Sequence, residues 1–128
     1  MSYENEIILM DDMSARQEVI AALIKWAVEK NYTPYIVADK DRKGVEIPEY
    51  LMENEGEIYL NISPPAVKNI EFDDGNISFI AFFKDQKHSI VLPIGSITKI
   101  LIKETRQSMI FNSIESNWAG DDPGLRVV

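Results

Sequence analysis

Cysteine is absent from all 128 residues, so disulfides, thiolate catalysis and cysteine-ligated metals are excluded together. The composition fits a reducing compartment, and a cytoplasmic location is the expectation that follows. Histidine occurs once, at His88, beside Lys87 at the start of a predicted strand and without serine–aspartate or second-ligand context. It reads as a surface histidine, so no catalytic residue, metal site or enzyme activity is expected. The six glycines stand singly, and none completes a GxxxxGK or GxGxxG loop, which argues against nucleotide binding and against any cofactor. No apolar run approaches the ~20 residues of a membrane span. The segment Met1 to Asp12 begins acidic, with only Ile7 to Met10 apolar, unlike a secretory signal.

Basic side chains are the minority, 13 against 21 acidic, for a formal charge of −8. Such a surface repels phosphate backbones, and nucleic acid is an unlikely partner. What is present is apolar: 45% of residues are hydrophobic, enough for one domain with a single core. The acid pairs Asp39/Asp41 and Asp73/Asp74 fall in predicted turns and lack the alternating oxygen ligands of a Ca²⁺ loop. Turn formation accounts for them.

Ser14-Ala15-Arg16-Gln17 has the form of a capping box opening a helix to about Lys30, with Asn31 as its stop and Pro34 beyond. Glu18, Lys25 and Glu29 fall on one narrow stripe of that helix, and apolar residues cover the rest. This arc is wider than one contact with a sheet requires, so surface near Ile20, Ile24 and Val28 is expected to meet a second subunit, giving a homodimer; cover by an N-terminal arm or loop is the alternative.

After Pro34 the period changes from 3.6 to 2. Strands are predicted at Tyr35 to Ala38, Val45 to Ile47, Ile58 to Ile62, Ile70 to Phe72, Ile77 to Phe83, Ser89 to Leu92, Ile97 to Ile102 and Ser108 to Phe111. Arg42-Lys43-Gly44, Asn54-Glu55-Gly56 and Asp73-Asp74-Gly75-Asn76 supply turns, and Asp85 to Lys87 closes another hairpin. The pattern predicts a barrel or sandwich. In Ile77 to Phe83, alternation puts Phe79, Ala81 and Phe83 on one face and Ile80 and Phe82 on the other. A strand apolar on both faces is either sandwiched or lines a groove for an extended apolar partner.

The helix ending in Trp26 and Asn31, the run Thr33-Pro34-Tyr35-Ile36-Val37 and the run Gly44-Val45-Glu46-Ile47-Pro48-Glu49-Tyr50 carry a resemblance. So do Gly56 to Ser63, Ala66, Asn69, Ile77 to Phe83, Val91, Pro93 and Met109 to Phe111. Over about residues 15 to 111 the chain resembles the SspB family, the stringent starvation protein B adaptors that enhance the specificity of the ClpXP protease. The final Leu125, Arg126, Val127 and Val128 are similar to that family's hook for the amino-terminal domain of the ClpX unfoldase.

The resemblance implies a mainly β, α+β fold: a small Sm-like or OB-like, partly open barrel packed on an N-terminal dimerisation helix. It implies an adaptor that binds ssrA-type degradation tags and tethers tagged proteins to ClpX. The implied tag groove comprises Val45, Ile47, Pro48, Asn61, Ile62, Ser63, Ala66, Phe79, Ala81 and Phe82. Phe82 departs from the arginine of the family's F-x-A-R-F strand, which implies an altered tag contact. The implied organisation is an arm at 1–13, the binding domain at 14–111, a linker at 112–124 and the docking motif at 125–128. The linker's 13 or so residues reach about 20 Å, short beside the long acidic linkers of many relatives. Two rival expectations are an Sm/OB-like RNA-binding barrel and a barrel whose groove is filled core.

Overall fold

The computed structural model describes residues 13–53 and 56–111; the expectations for the N-terminal arm to residue 12, the linker and the docking motif lie outside the described residues. Helix α1 spans Met13–Glu29, so Met13 belongs to the helix and Ser14 lies inside it rather than at its cap. Its end follows the sequence signal. Asn31 takes a left-handed φ of 63°. The Tyr32 N–H then donates to the Ala27 carbonyl at 2.8 Å and the Asn31 N–H to Val28 at 3.0 Å, the Schellman pattern. Tyr32 packs edge-on against Trp26, the apolar contact that accompanies this cap.

The face α1 turns inward differs from the expectation. Ile20 is 0% and Ile24 7% exposed, and both pack into the chain's own core with Ala27, while Val28 is half-buried against it. Ile20 and Ile24 are therefore not a free surface for a second subunit. A hydrophobic arc's width can be read from periodicity, but which part of the arc meets the sheet is set by packing. The surplus lies at Leu23 and the exposed Trp26, which line an open apolar pocket of about 360 Å³ with Ile100, Ile102 and Met109. Arg16 is also fully buried, its guanidinium 5.0 Å from the Phe111 ring centre and one N–H donating to the Ile97 carbonyl.

Seven strands follow among the described residues: β1 Pro34–Asp39, β2 Glu57–Asn61, β3 Val67–Asp73, β4 Asn76–Phe83, β5 Gln86–Pro93, β6 Ile97–Ile102 and β7 Gln107–Ile110. A short helix α2, Glu49–Met52, precedes β2, and a 3₁₀ turn at Ile94–Ser96 joins β5 to β6. All pairings are antiparallel, in one sheet ordered β2-β1-β6-β7 and another ordered β3-β4-β5. The fold is α+β, mainly β, and its two sheets do not close into a barrel. One core spans both, built from Ile36, Ile58, Leu60, Ile62, Ile77, Phe79, Ile90, Leu92, Ile97 and Ile100 with the inner face of α1. Each such side chain removed from water contributes about 1.5–3 kcal/mol.

At the far end of α1, Glu104 in the β6–β7 turn accepts from the Thr33 N–H at 2.7 Å and from its hydroxyl at 2.6 Å, fastening the α1–β1 connection. No helix among the described residues is long and apolar enough to cross a membrane.

Candidate functional site

The β4–β5 hairpin turns at Lys84 and Asp85, with φ of 51° and 65°, one step earlier than the predicted Asp85 to Lys87. Two left-handed residues make the tight turn that matches strand twist, and the register then runs unbroken from Phe83↔Gln86 to Asn76↔Pro93. On its other side β5 pairs, among the described residues, only with Glu46, whose N–H donates to the Val91 carbonyl at 2.8 Å and whose carbonyl accepts from the Val91 N–H at 3.0 Å. Backbone groups alternate sides along a strand, so Lys87 and Ser89 aim theirs the same way as Val91. Among the described residues nothing pairs with them.

The predicted strand Val45 to Ile47 is thus cut to a single bridge, and the cause lies in Pro48. Continuing the antiparallel register would set Pro48 opposite Ser89, and proline has no N–H to give. Its carbonyl is taken by the Leu51 N–H at 3.0 Å, which starts α2. The chain bends away and leaves an open pocket of about 380 Å³, lined by Val45, Glu46, Ile47, Pro48, Met52, His88 and Ser89. Gly44 lets the wall approach: its φ is +96°, and a Cβ there would stand 2.9 Å from Pro93 Cγ.

His88, expected at the surface, lines this open pocket and is half-buried. Its register partner Ala81 is buried, and its ring packs at 5.8 Å from Phe83 and 6.0 Å from Tyr50, centre to centre. Lys84 Nζ lies 4.7 Å from the Tyr50 ring centre. The Tyr50 hydroxyl is buried and has no hydrogen-bond partner among the described residues.

Of the ten residues assigned to the groove, Val45, Ile47 and Pro48 are brought together beside β5. Phe79 and Ala81 are not groove walls: with Ile77 they occupy the inner face of β4, where register sets Phe79 against Ile90 and Ala81 against Val67. Ile62 is likewise fully buried. The Asn61 side-chain oxygen accepts from both the N–H and hydroxyl of Ser63 at 2.9 and 2.7 Å, a local turn that occupies this pair. Phe82 is 42% exposed on the outer face of β4, and its N–H donates to the Ala66 carbonyl at 3.4 Å, so these two meet on the opposite edge of β4 from the pocket.

Sequence reasoning missed Met52, His88 and Ser89. A signal existed for His88: alternation places it on the same face as Ile90 and Leu92, inward.

A profile of the family described as stringent starvation protein B matches residues 14–124. The chain belongs to the SspB family. It is 32% identical over 101 residues to the stringent starvation protein B homolog of Haemophilus influenzae, an alignment covering 78% of this chain. The chain spans 66% of that relative's length. The SspB profile thus covers α1, both sheets and the pocket beside β5, and stops before Leu125.

Proposed function

We propose that this SspB-family chain is an adaptor rather than an enzyme, binding ssrA-type degradation tags in extended form and delivering tagged proteins to the ClpX unfoldase. The observation that carries the reading is the edge of β5: backbone groups of Lys87 and Ser89 that no described residue pairs, beside a pocket walled by Val45, Ile47 and Pro48. An extended peptide that adds a strand there satisfies those groups, and its alternate side chains reach the pocket. In this reading Leu125 to Val128 dock on the ClpX amino-terminal domain, and the linker makes encounter of tag and unfoldase effectively intramolecular.

Ser89→Pro tests the edge. Its N–H points away from β4, so proline removes no ladder bond within the sheet, but it blocks strand addition. The affinity for a fluorescent ssrA-type peptide, read by anisotropy, falls by about tenfold or more while the thermal midpoint holds. Unchanged affinity sinks the reading. Delivery is tested separately: adaptor lowers the KM of ClpXP for a tagged substrate and leaves kcat nearly constant, and deleting Leu125 to Val128 abolishes this while tag binding survives.

The homodimer belongs to the same proposal, with its seat moved from Ile20 and Ile24 to the pocket of Leu23, Trp26 and Met109. Trp26→Glu converts a dimer into a monomer in sedimentation velocity; a chain already monomeric at micromolar concentration counts against the dimer.

A further inference from the structure

The gap beside β5 is walled by side chains of unequal stiffness. Val45 and Ile47 are β-branched and pack against the core, and Pro48 is fixed by its ring. Met52, the last residue of α2, is unbranched with three rotatable bonds and is 43% exposed. We propose that the site reads a bulky apolar side chain at one position of the bound peptide, and that Met52 closes over it and sets which sizes fit. The inference rests on the edge-pairing reading above.

Register supplies the geometry. Glu46 stands opposite Val91 and shares its face, so the chain neighbours Val45 and Ile47 lie on the other face, where β5 carries His88 and Ile90. A strand added along Lys87 and Ser89 sets one of its residues directly opposite His88, on that same face. Its side chain turns into the gap lined by Ile47, Pro48 and Met52, while the residues before and after it turn to the face of Ser89.

Met52 is available because the rest of α2 is held elsewhere. Leu51 packs against the core. The Tyr50 ring lies edge-on to Phe83 and His88, 6.2 and 6.0 Å away centre to centre, and Lys84 sets its ammonium against the same ring. These contacts clamp the short helix to the β4–β5 hairpin. Met52 takes part in neither and lines the gap instead.

Backbone pairing to Lys87 and Ser89 is the same for every residue except proline, so discrimination falls to the side chain in the gap. Leucine gains by leaving water for Val45, Ile47, Pro48 and Met52, whereas asparagine, of similar size, gives up the hydration of its amide among them. A flexible thioether repacks around guests of different shape, so leucine and phenylalanine are both accepted.

The experiment uses the full chain and a fluorescein-labelled ssrA-type peptide, replaced position by position with Ala, Asn, Leu and Phe and read by anisotropy. At one position Leu and Phe are expected to bind about tenfold tighter than Ala or Asn, and within about threefold of each other. Met52→Ala cuts that advantage to about threefold, changes affinity for the Ala peptide less than about twofold, and leaves the thermal midpoint in place because Met52 is exposed. Met52→Leu restores the advantage of the Leu peptide but not that of the Phe peptide, since a branched side chain adapts less. Peptides that bind with no apolar-selective position, or with an advantage that Met52→Ala leaves intact, overturn this inference and leave the edge pairing standing. Absence of binding for every peptide overturns the edge pairing and this inference together.

Discussion

The inner stripe of α1 and the Val45 to Pro48 wall beside the outer edge of β5 are both apolar in sequence, and the fold treats them in opposite ways. Ile20 and Ile24 disappear into the core, where every apolar atom finds neighbours. Val45, Ile47 and Pro48 are equally greasy but flank a gap, because a proline interrupts the ladder that would have closed it. Hydrophobic content therefore does not separate packing from binding. What separates them is whether backbone groups nearby are left unpaired, as at Lys87 and Ser89.

The contrast predicts that damage to the two regions separates stability from affinity. The largest effect is expected at Ile20→Ala, which empties a fully enclosed site and lowers the unfolding free energy by about 2–5 kcal/mol in urea titration, with tag affinity per folded molecule unchanged. Equal losses in both quantities would erase the distinction. Gly44→Ala, at the β5 wall, should lower both quantities, since the new Cβ meets Pro93 in a left-handed backbone that favours glycine. It costs about 1–3 kcal/mol of stability and, by pushing the Val45 to Pro48 wall aside, weakens peptide binding as well; a fall in stability alone would detach that wall from the site.

The smallest effect lies on the helix side. Two hydrogen bonds from Thr33, first that of its hydroxyl, hold the Glu104 carboxyl below its ordinary value of 4.5. A depressed carboxyl contributes stability above its unfolded value and loses it as pH falls through the folded one. The thermal midpoint of the wild type accordingly drops more steeply below about pH 4.5 than that of Glu104→Gln, with tag binding at neutral pH the same in both. Parallel midpoint curves would show that this fastening adds nothing.

Much of this architecture is legible in the chain. Asn31 and Pro34 end the helix where the left-handed cap forms. Alternation in Ile77 to Phe83 separates inner from outer face as observed, and Asp74-Gly75 turns β3 into β4 with both residues at positive φ. The site is less legible. The groove residues Ile62, Phe79 and Ala81 are core, and His88 and Ser89, remote in sequence from Val45, share its pocket.

By itself the sequence determined the elements, their order and the family, because helix stops, strand alternation and turn residues act through neighbours a few positions apart. It also contained the reason the groove is open, a proline after the Val45 to Ile47 run, though not the place where that opening falls. Only the tertiary structure decided which arc of α1 faces inward, which edge of the second sheet stays unpaired, and that Tyr50 and His88 meet beside it. Those outcomes depend on contacts between residues some 40 positions apart, and local pattern carries no information about which distant partner a face or an edge will find.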